Sequence, residues 1–336
     1  MFKKRALKKL IGLLLCISAP IAHAAKEEAK LDAFFKDYLE ARFQLHPLDA
    51  TRLGDHRFDH LLDDLSPEAR ERSVDLTKKT LGELPRAVDF KNLSRNGQID
   101  FEILKHELET GLWIEENTRP YETNPRLYNE YISDSVFQLL AQSPLPLETN
   151  VANAISRISQ IPNVIAAAKR NLKNPPRVVL ETALLQNGGS IGFYESGIFQ
   201  VAGETRQRDA LKHACDQVLP VLRDYQEFLE RDLLPRAKGE WRLGKRKFEK
   251  KLELTLDAGV SAADVLRDAE AEFRRVTEAM HVISRQLWHQ YYPQEPFPPE
   301  TAAGRRDAIA KVLHAVNQEH GQPDQLVEDA RATVER

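Results

Sequence analysis

The sequence SAADVLRDAEAEFRRVTEAMHVISRQLWHQY, residues 261–291, decides the fold class. Its apolar residues recur at alternating intervals of four and three, with most charged residues on the opposite face. This pattern predicts one long amphipathic α-helix. At about 1.5 Å per residue the helix would be roughly 45 Å long, so other helices are expected to pack along it. The apolar face consists of Ala262, Leu266, Ala269, Phe273, Val276, Met280, Ile283 and Leu287.

Both ends of this helix are marked in the sequence. Ser261 followed by Asp264 fits an N-terminal capping pattern, in which a hydroxyl and a carboxylate satisfy free backbone groups. The helix cannot continue through Pro293 because proline lacks an amide hydrogen and clashes with the preceding turn.

The rest of the chain repeats the helical pattern, so the sequence predicts an all-α protein of roughly ten helices. No stretch alternates convincingly as a strand would, and no internal repeat is found. The segment 117–129 contains two prolines and two tyrosines and is predicted to be a loop. Helices are predicted at 27–45, 67–84, 93–113, 131–142, 147–172, 178–186, 205–234, 261–291, 301–319 and 323–336.

The N-terminus predicts export. Residues 1–24 combine a basic start, a short apolar run and the small-x-small site Ala22-His23-Ala24, which is typical of a secretory signal peptide cleaved after Ala24. The apolar run is shorter than the roughly 20 residues of a membrane anchor. Lipid modification at Cys16 is disfavoured because Leu15 stands where a small residue is expected. We expect a periplasmic or secreted protein with no stable membrane anchor after cleavage.

The mature chain is acidic and has a single cysteine. Residues 25–336 carry 43 basic and 51 acidic residues, a net charge of −8. An acidic surface without a basic block argues against a nucleic-acid partner. Cys215 is predicted to be a core residue and not a nucleophile.

The segment 46–60 is the least periodic and the richest in functional side chains. It contains Asp55, His56, Arg57 and Asp59, which are the candidates for either a substrate contact or a structural polar loop. Carboxylates and imidazoles four residues apart suggest metal binding. However, Gly54 disfavours a helix here, and Asp55 or Asp59 pairing with Arg52 or Arg57 is the favoured interpretation.

This segment also carries a family resemblance. The pattern Pro-x-x-Ala-Thr-x-x-Gly-Asp-His-Arg-x-Asp from Pro47, followed by Asp64-Leu65-Ser66-Pro67-Glu68-Ala69, resembles the N-terminal part of the DUF885 family of bacterial, often exported proteins. The family in turn resembles all-helical zinc metallopeptidases of the gluzincin type. The resemblance implies an N-terminal helical domain, 25–336, that is incomplete at its C-terminus and forms one wall of a peptide-substrate channel. It places the zinc motif, and therefore the cofactor, beyond Arg336.

No catalytic or metal-binding residue can be assigned within the chain. His106-Glu107 begins like a zinc-peptidase motif, but its fifth position is Thr110 instead of histidine. No Gly-x-Ser-x-Gly sequence occurs, which argues against a serine hydrolase. The chain alone is therefore predicted to be catalytically inactive.

Asn187-Gly188-Gly189-Ser190 is predicted to cap and end a helix, because adjacent glycines commonly do so. An anion cradle is the alternative, although no phosphate fingerprint with its lysine is present. The family resemblance adds that a loop of Gly188, Gly189 and Tyr194 borders a peptide channel.

A second function is left open by the sequence, that of a non-catalytic periplasmic helical binding or scaffold module. The apolar positions of residues 323–336 recur up to the end of the sequence with no glycine or proline to end the helix, so a longer protein is expected. A zinc motif following in frame would favour the peptidase, and an immediate stop would favour the module.

Overall fold

The structure is a computed structural model that describes residues 25–335. Every regular element in this range is helical, which confirms the predicted all-α class. The predicted signal peptide and Cys16 lie outside the described residues. No helix within residues 25–335 has both the length and the apolar character needed to cross a lipid bilayer.

The helices have the following bounds within the described part of the chain. They are α1 (25–45), α2 (Pro47–Arg52), α3 (Pro67–Ala87), α4 (Arg95–Thr118), α5 (Pro120–Thr123), α6 (Arg126–Asn129), α7 (Ser135–Ala141), α8 (Leu147–Asn171), α9 (Arg177–Gly192), α10 (Ile198–Ala202), α11 (Arg208–Glu227), α12 (Leu234–Arg236), α13 (Lys245–Leu256), α14 (Ala262–Tyr291), α15 (Ala302–Val316) and α16 (Leu326–Val334).

The chain forms two compact units, Met1–Thr255 and Leu256–Arg336. In the first unit the main hydrophobic cluster is centred on α8 and α11, with Ile161 and Leu222 fully buried. A smaller cluster joins α1, α3 and α4 through buried apolar side chains such as Leu84. Burial of one such side chain contributes about 1.5–3 kcal/mol, so the α8–α11 cluster is the principal stabilising feature of this unit.

The second unit has its own small core. Trp288 of α14 packs against Ala308 and Val312 of α15, and its indole N–H donates a hydrogen bond to the carbonyl oxygen of Glu295. The predicted capping box is confirmed, because the Ser261 hydroxyl accepts from the Asp264 amide while the Asp264 carboxylate accepts from the Ser261 amide.

The long helix α14 is present, but its packing differs from the prediction. Its buried residues are His281, Ser284 and Trp288, one position after the predicted Met280, Ile283 and Leu287. Trp288 packs against α15, and its position on the helix places the set His281, Ser284 and Trp288 at the interface, one residue after the predicted set. Among the described residues, Leu266 and Phe273 of the predicted face remain exposed. Helix packing is therefore concentrated near the C-terminal end of α14.

Among residues 25–255, three helices contain a π-helical turn. The turn Glu130–Asp134 joins α6 to α7, the turn Phe193–Gly197 joins α9 to α10, and the turn Phe228–Leu233 joins α11 to α12. Each turn holds one more residue than an α-helical turn. Each pair of helices is therefore one continuous helix whose two halves are rotated relative to each other.

Buried residues explain where these turns fall. Around each turn the buried residues follow at three successive intervals of four. In a regular α-helix each interval of four advances the side chain by about 40°, so three of them would rotate the last residue away from the core. The extra residue cancels this drift. The three series are Tyr128, Ile132, Val136, Leu140; Ser190, Tyr194, Ile198, Ala202; and Tyr225, Leu229, Leu233, Ala237.

Three predicted loops are wrong in part. The segment 117–129 contains the short helices α5 and α6, and the segment 46–60 contains α2, which Pro47 begins and Gly54 follows with a φ of 84°. Gly188 and Gly189 lie inside α9 instead of capping it, because neither adopts the positive φ that a glycine cap requires.

Candidate functional site

The predicted polar loop forms a 3₁₀ turn, His56–Phe58, that is capped by Asp55 at the Arg57 amide. The Asp55 carboxylate accepts the Arg57 amide at 3.1 Å and pairs with the Arg57 guanidinium at 2.6 Å. Arg57 also pairs with Glu40 of α1 at 2.8 Å. The hydrogen bond from the Arg57 side chain lowers the pKa of the Asp55 carboxyl group. These contacts fasten the turn to α1.

Asp59 lies in a buried chain of hydrogen bonds. Its carboxylate, which is fully buried, bonds His56 Nδ1 at 2.8 Å and accepts the Thr51 hydroxyl at 2.7 Å. The Thr51 oxygen in turn accepts from the guanidinium of Arg157 at 2.5 Å. The predicted site residues are therefore engaged with other parts of the protein.

Arg157 connects this loop to the helices around it. Its guanidinium donates to the carbonyl oxygens of Leu61 at 3.0 Å and of Ser135 at 2.9 Å. Burial lowers the pKa of Arg157 to about 10, so the side chain is still charged at neutral pH. Because Ser135 directly follows the π-turn Glu130–Asp134, Arg157 joins the polar loop to the next feature.

A cavity of about 500 Å³ lies between the helix α6–α7 and the helix α9–α10. Both π-turns contribute to its wall, which is notable because such turns often occur at functional sites. None of Asp55, His56, Arg57 or Asp59 lines it. The lining residues are Asn124, Arg126, Leu127, Asn129, Glu130, Ser133, Asp134, Phe137, Gln186, Gly189, Ser190 and Phe193.

Amide and hydroxyl groups bridge the two helices along the cavity wall. The Asn129 side-chain amide donates to Gln186 at 3.2 Å, and the Ser190 hydroxyl lies 3.2 Å from the Ser133 hydroxyl. The carbonyl oxygen of the Asn129 side chain is buried and has no hydrogen-bond partner among the described residues. A buried acceptor without a partner is an expected position for a bound water or for a ligand group that brings a donor.

Charged groups flank these amides on the same helix. Arg126 precedes the π-turn, and Asp134 is its last residue. Partial burial, together with the nearby Glu130, raises the pKa of the Asp134 carboxyl group. Glu130 itself is paired with Arg52 at 3.0 Å. The cavity wall therefore contains the guanidinium of Arg126 and the carboxylate of Asp134, which lie on the same helix.

Phenyl rings form another part of the wall. Phe137 and Phe193 meet edge to face with their centroids 6.5 Å apart. Tyr194, predicted to border a channel, is fully buried behind them, where its hydroxyl donates to the Ile132 carbonyl oxygen. Of the three predicted channel residues, Gly189 lines the cavity, whereas Gly188 and Tyr194 do not.

Other candidate residues lie elsewhere. His106 bonds the Leu254 carbonyl oxygen through Nε2 at 2.7 Å. Burial raises the pKa of Cys215 to about 11, consistent with a core thiol. Within residues 25–335, no group of three or more His, Cys, Asp and Glu side chains is arranged to hold a metal ion.

Most of the cavity-lining residues are not identified by the sequence. Arg126, Asn129, Asp134 and Gln186 belong to no motif, and the first two fall within a segment predicted to be a loop. The available signal is the repeated interval of four, which marks both π-turns and therefore the two helices that line the cavity.

A model of the family described as "Bacterial protein of unknown function (DUF885)" matches residues 47–336. The fold resembles a solved structure of a "putative lipoprotein of unknown function" from Shewanella oneidensis, with a TM-score of 0.70 and 22% sequence identity. The match covers 90% of this chain and 56% of that chain, so this chain spans little more than half of that protein's length. At this identity the similarity is one of fold. No curated protein matches the chain.

Proposed function

The chain belongs to the DUF885 family of bacterial proteins, and on that premise we propose that its cavity binds short peptides for an exported peptide hydrolase. In this proposal the helices α6–α7 and α9–α10 form one wall of the substrate site. Catalytic groups for peptide cleavage would come from a longer protein. Residues 25–335 contain no group of three or more His, Cys, Asp and Glu side chains arranged to hold the zinc that the resemblance implies. The role proposed for this chain is to bind and orient the substrate.

The observation that carries the proposal is the composition of the cavity wall. Asn129, Gln186 and the two serines offer donors and acceptors of the kind that backbone amides require. Phe137 and Phe193 supply apolar surface beside them. A volume of about 500 Å³ lies within the range typical of small-molecule sites.

The spacing of charges suggests the length and ends of the peptide. At about 1.5 Å per residue, the eight residues from Arg126 to Asp134 span about 12 Å. An extended chain of three to four residues has the same length. The Arg126 guanidinium is suited to a terminal carboxylate and the Asp134 carboxylate to a terminal ammonium. We therefore propose tri- and tetrapeptides with free ends as ligands.

Calorimetric titration with trialanine tests this proposal. Gly189→Leu would place a side chain in the cavity, whereas Gly188→Leu alters the same exposed helical turn outside it. We expect Gly189→Leu to weaken binding at least 10-fold and Gly188→Leu to leave the affinity within about two-fold. Equal effects of the two substitutions, or no binding to the unaltered chain, would reject the proposal.

Blocked peptides test the two charged ends separately. Asp134→Asn is expected to lower trialanine affinity by about 10-fold, since a charge-assisted hydrogen bond contributes about 1.5–3 kcal/mol. The same substitution should have little effect on N-acetyl trialanine, which lacks the ammonium group. Arg126→Met should show the converse pattern with trialanine amide. If each variant affected free and blocked peptides equally, the proposed orientation would be wrong.

The alternative function, a non-catalytic periplasmic binding or scaffold module, uses the same cavity without cleavage. Peptide turnover by the longer protein separates the two functions. Release of alanine from trialanine that is reduced by Gly189→Leu would favour the hydrolase, whereas binding without release would favour the module.

A further inference from the structure

Ser73, His46 and Asp63 form a hydrogen-bonded chain, and none of the three lines the cavity between α6–α7 and α9–α10. The Ser73 Oγ of α3 lies 2.7 Å from His46 Nε2, and His46 Nδ1 lies 2.9 Å from Asp63 Oδ2. His46 occupies the junction of α1 and α2, and Asp63 precedes α3. In serine hydrolases a serine nucleophile is hydrogen-bonded to a histidine base, which is in turn oriented by a carboxylate. This arrangement recurs on unrelated folds and is recognised by its geometry and not by the positions of the residues in the sequence.

The contacts of Asp63 favour one tautomer of the His46 imidazole. Its side chain is only 3% exposed, and it also accepts hydrogen bonds from the Leu48 amide at 3.0 Å and the Tyr131 hydroxyl at 3.3 Å. A carboxylate at this position holds the proton of a neutral imidazole on Nδ1. His46 Nε2 is then an acceptor, so Ser73 donates its hydroxyl proton to it. This is the arrangement that a general base requires.

A groove gives access to the two reacting groups. Ser73 and His46 both line a cavity of about 170 Å³, and the His46 side chain is 21% exposed. The volume equals that of roughly five or six water molecules, which suits an acyl group of a few carbon atoms. The groove is separate from the peptide cavity, so this inference does not depend on the proposed peptide site.

Arg70 supplies positive charge beside Ser73. It lies three residues earlier on α3, so both side chains lie on the same helix face and both line the groove. Its guanidinium is held over the Tyr121 ring at 4.8 Å and near Glu115 at 3.4 Å, while its Nε has no hydrogen-bond partner in the described part of the chain. The positive charge of Arg70 at the groove wall can stabilise a developing oxyanion.

We propose that Ser73, His46 and Asp63 constitute an acyl-transfer site that hydrolyses short-chain acyl esters. Ser73 Oγ attacks the ester carbonyl carbon as its proton passes to His46 Nε2. The bond to the alcohol oxygen then breaks, and His46 returns the proton to the departing alcohol. Water attacks the acyl-serine, passes a proton through His46 to Ser73 Oγ and releases the carboxylic acid, so one ester and one water give one acid and one alcohol.

A fluorophosphonate probe tests this site in the full chain. The serine oxygen displaces fluoride from phosphorus, so intact mass spectrometry should show one adduct, and peptide mapping should place it on Ser73. Ser73→Ala should abolish the adduct. The matched control Thr80→Val removes another hydroxyl from the same helix, outside the groove, and should label normally. His46→Gln should slow labelling at least about 100-fold, the usual contribution of a general base.

Hydrolysis of p-nitrophenyl acetate provides a second measurement. A burst of one nitrophenolate per chain, lost in Ser73→Ala, is expected. No adduct on the unaltered, folded chain, an adduct on another residue, or labelling of His46→Gln at the unaltered rate would each overturn the proposal. The first of these results does not depend on whether any variant folds.

Discussion

At the scale of single residues, Arg157 joins the polar loop to the helix α6–α7 that lines the cavity. It lies on α8, yet its hydrogen bonds reach Thr51 beside the loop and Ser135 beside the π-turn. A guanidinium that spans both regions fixes the position of one against the other. Arg157 therefore has a structural effect on the cavity without lining it.

Replacement of Arg157 by methionine should destabilise the protein by about 3 kcal/mol or more. The change leaves buried acceptors at Leu61 and Ser135 without donors, and each unmade buried hydrogen bond costs about 1–3 kcal/mol. Arg170→Met, on the exposed face of the same helix, should change stability by no more than about 0.5 kcal/mol. Urea unfolding measures both. A loss below about 1 kcal/mol in Arg157→Met would contradict this role.

Asp134→Asn should stabilise the folded protein at neutral pH although it weakens peptide binding. The folded protein raises the pKa of Asp134 above its ordinary 3.8, so at neutral pH the ionised group is disfavoured relative to the unfolded chain. As pH falls through the folded pKa, the folded state binds the proton first, and below 3.8 both states are neutral. The stabilisation, below about 1 kcal/mol because the group retains contact with water, should therefore shrink towards acidic pH.

Thermal unfolding of Asp134→Asn and the unaltered protein from pH 7 to below pH 3.8 checks this expectation. If the difference in unfolding temperature between the two proteins stayed constant over this range, ionisation of Asp134 would not be its cause.

Sequence predicts residue contacts well only when the partners are close in the chain. The pairing of Asp55 with Arg57 follows from two residues of one turn. The contact between Thr51 and Arg157 joins residues 106 positions apart and requires the packing of α2 on α8, which no local pattern specifies.

At the scale of elements, the repeated interval of four is the feature that determines the site. Three such intervals between buried residues require an extra residue in the helix, and two of the three resulting turns line the cavity. The sequence contains this information, but analysis of regular helical periodicity treats intervals of three and four as equivalent. The helix at 178–186 is predicted to end early because Gly188 and Gly189 match a glycine cap, whereas Arg177–Ala202 is continuous.

Gly188→Ala and Gly189→Ala should each stabilise the protein by about 0.5–1 kcal/mol. Both residues are helical and an added Cβ would meet nothing within 4 Å, so the substitution only removes the flexibility of glycine from the unfolded chain. Gly203→Ala is the opposite control, because its φ of 59° strains any residue with a side chain. If urea unfolding showed a higher free energy of unfolding for Gly203→Ala than for Gly188→Ala and Gly189→Ala, the helical assignment of Gly188 and Gly189 would be wrong.

At the scale of the whole molecule, each unit has its own hydrophobic core. Trp288 belongs only to the core of Leu256–Arg336, where its side chain is 4% exposed. The composition of the sequence does not reveal this division, because the long helix α14 predicts extensive packing, whereas the observed packing lies near its C-terminal end.

Trp288→Ala should unfold the second unit and leave the first folded. Removal of a buried tryptophan costs about 3–5 kcal/mol, which is large for a core as small as this one. Differential scanning calorimetry should show two transitions in the unaltered protein and loss of one in the variant. Trp113 and Trp241 both lie in the first unit, and the unfolding midpoint reported by their fluorescence should be the same in the variant as in the unaltered protein. A single transition that shifts as a whole would show that the units unfold together.

The central claim is that short peptides bind between the two helices that carry the π-turns. Hydrogen exchange of backbone amides, measured by mass spectrometry with and without saturating trialanine, tests it most directly. We predict that the peptide slows exchange within residues 124–137 and 186–193 and leaves the groove around Ser73 unchanged. Protection confined to other segments, or none despite measurable binding, would contradict the claim.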